Sequence, residues 1–339
     1  MNSTPAPRVK ERQVEGFEWA RATHVADALE PMLARWQLAA DFPGVIHEPT
    51  SIKELDDVVG IAPGRLTVVA GRQGAGKSAL ALQIARFIAG RGPCLYILTE
   101  MSLEEVITRT VANAAHIPAW KLERGAHPEV LEAARQAMEW LRDNSDLAFV
   151  ETNGAPAKQV FAGMKQWLEA HPDARLVVCD NLWGLAMSES ANDSSALSYK
   201  LGRITRAIAN LAVSANVPVI LVHHLNRTGA PGRESTIPDA SQLGGSDHIG
   251  NWAHHILIMK GRPQSKDDFT NGAFVGDPTH DLYVVKNRSG RSDIQVGLRF
   301  VGAEMRFEGA SAAAPFETPP SDNGQADAYR AAVAVLPEW

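Results

Sequence analysis

Cysteine is nearly missing from this chain of 339 residues: only Cys94 and Cys179 occur, both inside apolar, strand-like runs. Two such residues build neither a disulfide framework nor a structural zinc site, so the expectation is reduced core thiols in a cytoplasmic protein. Long apolar runs are missing too. None approaches the ~18 residues of a membrane span, and no membrane partner is expected. The opening Met1-Asn-Ser-Thr-Pro-Ala-Pro has no apolar stretch of the kind a signal peptide needs. Nor is there an excess of positive charge. The formal net charge of −6 argues against a general nucleic-acid coat protein and leaves only local basic surfaces for such contacts. No internal repeat is visible.

What the chain does have is a hydrophobic content of 45%, enough for a sizeable core. It is long for one domain and short for two large ones. Residues 71–78 read Gly71-Arg-Gln-Gly-Ala-Gly-Lys-Ser78, a G-x-x-x-x-G-K-S motif without a mismatch. A β-branched run over 65–70 precedes it. An apolar stretch at helical spacing follows, with Leu80, Ile84 and Ile88, and ends at Gly90. Strand, glycine-rich turn and helix in that order make a phosphate-binding loop. Gly71, Gly74 and Gly76 allow the backbone to approach an anion, and the helix start presents free N–H groups to it. The expected nucleotide ligands are Gly71, Gly74, Ala75, Gly76, Lys77, Ser78 and Ala79. Lys77 is expected on the β- and γ-phosphates of ATP and the Ser78 hydroxyl on Mg²⁺.

Leu176-Val-Val-Cys-Asp180 is an apolar strand ending in a carboxylate, as a Walker B element does, and Asp180 would hold Mg²⁺ directly or through water. Many such enzymes place a glutamate next; here Asn181 follows. Glu100, at the end of the apolar run 94–99, is the alternative general base. It is otherwise an ordinary helix-capping acid ahead of Ser102.

From 51 onward, strands and helices alternate, which indicates an α/β fold. Strands are expected over 66–70, 94–99, 147–151, 176–180, 217–222, 255–260, 281–286 and 295–301. The first five are continuously apolar, as in a parallel sheet buried on both faces. Ser102-Leu-Glu-Glu105 reads as a capping box, and Leu197, Leu201, Ile204, Ile208 and Leu211 mark another helix. Residues 16–38 suggest helix, with Pro31 ending one segment and opening the next. The expected organisation is a disordered start and helical linker over 1–50, a core over 51–308 and a flexible tail over 309–339.

In order along the chain, Pro63 to Ser78, Leu98-Thr-Glu-Met101, Val178-Cys-Asp-Asn-Leu182, Ala215 to Arg227, Gly245-Ser246 with Ile249-Gly250 and Ala253, and Lys286-Asn-Arg288 resemble the RecA-like ATPase domain of DnaB-type replicative helicases. The resemblance is collinear over about three-quarters of the chain. It implies a RecA-like P-loop NTPase with a mostly parallel central sheet flanked by helices, and a short N-terminal helical segment before it. It implies an ATP- and Mg²⁺-dependent ring, a hexamer, that translocates on single-stranded DNA and unwinds duplex in replication, in a phage or plasmid setting.

By the same resemblance Glu100 activates water, and His224 stands where a glutamine senses the γ-phosphate. Lys286 and Arg288 insert into the neighbouring subunit's site. On a strand, residues two apart face the same way, so this pair can act together. DNA-facing loops are implied over 188–199, with Lys200 the nearest cation, and between Arg227 and Gly245, with Arg233, Gly244 and Gly245. The same segments also read as plain surface loops.

Two departures stand out. Only residues 1–50 precede the core, so loading and primase docking are expected to fall to separate partners, and His254 stands where the family has an aspartate. Two competitors remain: a RecA-like regulatory or recombination ATPase without unwinding activity, and a P-loop small-molecule kinase.

Overall fold

The computed structural model of the protein describes residues 25–41, 46–188, 197–225, 238–243, 246–262 and 279–310. The chain divides into two compact units, Met1–Val45 with Asp327–Trp339, and Ile46–Ala326. Within the first, helix α1 (Val25–Asp41) runs straight through Pro31, against the expectation of two helices meeting there. Proline removes one backbone donor and crowds the preceding turn, and the helix continues past it for ten further residues to Asp41. Its apolar stripe of Val25, Leu29, Leu33 and Trp36 is more than half exposed.

The second unit begins with the short helix α2 (Lys53–Asp56) and strand β1 (Leu66–Gly71), followed by α3 (Lys77–Ile88) and β2 (Cys94–Leu98). A helical layer comes next: α4 (Leu103–Ala115), α5 (Ala119–Glu123) and α6 (Pro128–Asn144). Then come β3 (Leu147–Glu151), α7 (Ala157–Ala170), β4 (Leu176–Asp180), α8 (Leu182–Met187), α9 (Leu197–Ser214) and β5 (Val219–His224). The described elements end with α10 (Ser246–Trp252), β6 (His255–Gly261), β7 (His280–Asn287), β8 (Ile294–Val301) and β9 (Arg306–Gly309). Among the described residues, nine strands form one sheet in the order β3-β2-β4-β5-β1-β6-β7-β8-β9. β1 to β6 are parallel, and β7, β8 and β9 add as antiparallel neighbours.

Strand β1 shows why the sheet is central. Leu66, Val68 and Ala70 pack on one face with Leu201, Ile204 and Ile208 of α9. Val69, between them, packs on the other with Leu80, Ile84 and Ile88 of α3. Such period-2 division into two apolar layers defines a sheet sandwiched by helices. β3 departs from the expected burial on both faces. It is an edge strand, and Val150 is 44% exposed. β9 lies outside the expected strands altogether. Ser102 caps α4 by accepting from the Glu105 N–H (3.2 Å), but the Glu105 side chain takes a hydrogen bond from Arg109 rather than completing the box. Cys94 and Cys179 are buried free thiols, the latter pushed up to about 12 by burial and by Asp180.

A buried imidazole makes the sheet sensitive to acid. His255 on β6 is fully buried, and its Nδ1 pairs with the Thr67 hydroxyl at 3.0 Å. Burial drops its pKa from 6.5 to about 4. Between these values the unfolded chain holds the proton and the native chain does not, so stability falls as pH drops from about 6.5 to about 4. The loss should be on the order of a few kcal/mol. Thermal melts across this window should slope less steeply in His255→Gln than in the wild type; equal slopes would remove His255 from the account.

Candidate active site

In a parallel sheet, the crevice beyond the carboxyl ends of the strands binds ligands, and here the register brings four sequence motifs to that edge. Gly71 at the end of β1 pairs with His224 at the end of β5. Leu98 of β2 pairs with Asp180 of β4, which puts Glu100 just beyond the same edge. Gly74 and Gly76 both adopt positive φ (79° and 80°), and a Cβ at Gly74 would meet nothing within 4 Å. The loop is therefore an open turn that only glycine forms without strain. Gly76 is the N-cap of α3 and offers no side-chain partner to the first turn, whose N–H groups stay available to an anion.

Lys77 is 5% exposed and donates to the Arg72 carbonyl at 2.8 Å. Burial lowers its pKa, and the charges of Asp180 and Glu100 partly offset this. Asp180 is 3% exposed. Burial raises its pKa, against hydrogen bonds donated by Tyr96 and Ser78 and the nearby Lys77 charge. Ser78 and Asp180 thus present a hydroxyl and a carboxylate together beside an open loop. Mg²⁺ prefers such a sparse oxygen set, completed by phosphate and water oxygens. Among the described residues no cluster of three or more His, Cys, Asp or Glu forms a separate metal site.

Glu100 is half exposed, and its Oε2 lies 3.9 Å from His224 Nε2. The helix cap here is Ser102, which leaves the Glu100 carboxylate out of that role. His224 is fixed by Asn181. The Gly184 N–H donates to Asn181 Oδ1 at 2.9 Å, so the amide nitrogen faces His224 Nε2 at 3.1 Å. An amide nitrogen only donates, hence Nε2 accepts and the imidazole proton sits on Nδ1. Burial and the Lys77 charge lower the His224 pKa, which favours the same neutral form.

Three residues of this edge escaped the sequence reading. Tyr96, fully buried, donates its hydroxyl to Asp180 Oδ2 at 2.7 Å. Thr99 Oγ1 accepts from the Asn181 N–H at 2.8 Å and donates to its carbonyl at 3.3 Å. Asn181, noted only for not being glutamate, aligns the histidine. The available signal was Tyr96 itself, since a phenol in an aliphatic strand needs a hydrogen-bond partner when buried.

Lys286 and Arg288 lie elsewhere. β7 runs antiparallel to β6, so its end, where Asn287 pairs with His255, is at the sheet edge opposite Gly71. The register slips between Ile256 and Leu257, which face Lys286 and Val284 and leave Val285 as an extra residue. This β-bulge turns Lys286 towards the α10 side, where its Nζ donates to the Gly250 carbonyl. Arg288 Nη2 donates to the Asn251 carbonyl at 2.6 Å, and its N–H to the His254 carbonyl at 3.1 Å. Level with His254, Arg288 is about five strand residues from Gly71, roughly 16 Å. α10 packs on the sheet face opposite α3. Neither cation reaches its own chain's loop. Lys200 is the fourth residue of α9. Arg227, Arg233, Gly244 and Gly245 lie outside the described residues.

Residues 48–309 match the DnaB-like helicase C terminal domain. The chain belongs to that family. As a DnaB-like domain it is 26% identical over 270 residues to the replicative DNA helicase DnaB of Leifsonia xyli subsp. xyli, covering 76% of this chain and 55% of that protein. It is 24% identical over 270 residues to the replicative DNA helicase DnaB of Haemophilus influenzae (78% and 56%). A probable plasmid replicative DNA helicase of Chlamydia trachomatis is 26% identical over 223 residues (65% and 48%). The DnaB-like chain spans about half the length of the curated relatives it matches. A DnaB-like replicative helicase, solved in a study of its interactions with primase, superposes with a TM-score of 0.68 at 22% identity, covering 82% of this chain and 66% of that one. A solved ATPase domain superposes at 0.69 and 22% identity, covering 83% of this chain and 97% of that one. The fold of the DnaB-like core is thus RecA-like. No described helix is long and apolar enough to cross a membrane.

Proposed function

We propose that this chain is the ATP-hydrolysing motor of a ring-forming DNA helicase, working as a hexamer on single-stranded DNA in replication. The carrying observation is a divided site. The phosphate loop, Asp180, Glu100 and His224 share one edge of the sheet, whereas Lys286 and Arg288 sit at the opposite edge and on the other face. Two halves of one chemistry, separated by the body of the domain, fit a nucleotide held between adjacent copies. Residues 1–50 then act as a linker, with the exposed stripe of α1 free to dock, and 309–339 as a tail. A separate loader or primase would engage outside the core, and the protein would act in the cytoplasm.

In this reading Gly71, Gly74, Ala75, Gly76 and Ala79 shape the loop around the ATP phosphates. Lys77 exchanges the Arg72 carbonyl for the β- and γ-phosphate oxygens. Ser78 and Asp180 would hold Mg²⁺, which would supply neutralisation of charge on the phosphate oxygens. Glu100 takes a proton from the attacking water as its oxygen bonds to the γ-phosphorus and the bond to ADP breaks. The Nδ1–H of His224 donates to a γ-phosphate oxygen, and Lys286 and Arg288 of the adjacent copy meet the charge that develops there. The DNA contacts would come from Lys200, Arg227, Arg233 and the backbone at Gly244 and Gly245, and would carry no sequence information.

A forked duplex incubated with the protein, Mg²⁺ and ATP should release its strand, and ATPase should rise with single-stranded oligonucleotide. Hydrolysis without strand release would favour the regulatory ATPase. Phosphate transfer to a small molecule without DNA would favour the kinase.

A further inference from the structure

The last strand of the sheet touches the phosphate loop from behind. Among the described residues, β9 pairs with β8 alone. On its other side, α3 supplies the missing hydrogen bonds through a side chain. Gln83, 1% exposed, donates from Nε2 to the Phe307 carbonyl at 2.9 Å and accepts the Phe307 N–H on Oε1 at 2.7 Å. One turn further on, Arg86 donates to Asn113 Oδ1 at 2.8 Å, and Asn113 donates to the Met305 carbonyl at 3.1 Å. The helix that begins at the phosphate loop is therefore fastened to β9 at Phe307 and, through Asn113 of α4, to Met305, the residue just before β9.

The fastening sets where one ring sits. Phe307 is 1% exposed and stacks on Phe300 with centroids 4.4 Å apart, and His280 meets both rings edge-on at 5.5 Å. A Cβ built on Gly76 would lie 2.6 Å from Phe307 Cζ, so the ring tip already rests against the glycine backbone. Gly76 is the left-handed residue immediately before Lys77 and Ser78. Gly76, Leu80 and Gln83 fall on one stripe of α3, which aligns the clamp with the turn it supports.

We propose that Gln83 and Phe307 are positioning residues for the nucleotide: the clamp holds the ring as a floor under Gly76 and keeps the loop in its binding shape before ATP arrives. Neither side chain meets the phosphates. The inference rests on the reading of residues 71–78 as the ATP site. A loop that occupies its competent shape for only a fraction of the time binds more weakly by that fraction. Phe307→Ala should therefore weaken Mg·ATP binding by about tenfold or more, with a smaller change in kcat at saturation. Phe307→Leu, which refills most of the space, should recover most of the affinity. Gln83→Leu, which keeps the bulk and loses both hydrogen bonds to Phe307 as well as the one to Ser51 Oγ, should reproduce the loss in part.

The test is a titration of the full chain with a fluorescent ATP analogue and Mg²⁺, alongside ATPase kinetics and thermal melts. Met164→Ala serves as the control, because Met164 is equally buried in α7 against the other face of the sheet. Weakened binding in the Phe307 and Gln83 variants but not in the control supports the proposal. Unchanged affinity in Phe307→Ala and Gln83→Leu would overturn it while leaving the loop assignment intact. Equal losses in the control and Phe307→Ala would overturn it too, by assigning the effect to general stability. If Phe307→Ala does not fold, Phe307→Leu and Gln83→Leu decide by the same comparison. A wild type that fails to bind the analogue would instead remove the ATP-site reading itself.

Discussion

Arg288→Ala should hydrolyse ATP about 10³–10⁵ times more slowly than the wild type, the range measured for removal of an arginine finger. Its affinity for nucleotide should barely change, because the guanidinium lies about 16 Å of strand away from its own Gly71 and is bound to the Asn251 carbonyl on the other face of the sheet. The decisive measurement mixes two inactive proteins. Lys77→Ala subunits lack a competent loop but carry an intact Arg288. Arg288→Ala subunits have the reverse defect. Co-assembled, some interfaces pair a good loop with a good finger, and ATPase activity should reappear. Mixtures that stay silent, or an Arg288→Ala protein that no longer binds nucleotide, would contradict a site shared between copies.

Glu100→Gln should lower hydrolysis by about 10²–10⁴, the usual worth of a positioned general base. The substitution keeps size and hydrogen bonding but cannot take the water's proton. Asn181 occupies the position after Asp180 and is committed to Gly184 and His224, so it offers no carboxylate in exchange. Nucleotide-dependent assembly should persist in this variant, since the loop and Asp180 are untouched. Turnover within about tenfold of the wild type would assign the base elsewhere. Read together, the two variants separate binding from chemistry: both should retain ATP, and neither should release phosphate at a useful rate.

Much of this edge was legible in the sequence because its parts are short, local and punctuated. A strand, a glycine turn and a helix at 65–90 are written in consecutive residues, and the apolar runs at 147–151 and 176–180 coincide with β3 and β4. What stayed hidden depends on partners far apart along the chain. Tyr96 meets Asp180 across 84 positions and Gln83 meets Phe307 across 224. No local pattern announces such a pair. β9 was missed for a different reason. Arg306-Phe-Glu-Gly309 is four residues long and half charged, and its strand form depends on β8 and on the Gln83 amide. Pro31 misled because a local rule about helix interiors took precedence over an apolar stripe that continues through it.

Val285 gives the domain a dependence on length as well as on chemistry. Were Val285 paired with Ile256 in regular register instead of bulged out, simple alternation would send Lys286 and Arg288 to the α3 side, away from Gly250 and Asn251. The cations would keep their spacing and lose their anchors on α10. An engineer grafting this domain, or shortening its hairpins, must therefore count backbone positions here as strictly as identities: a register shift of one decides which face of the sheet carries the two cations.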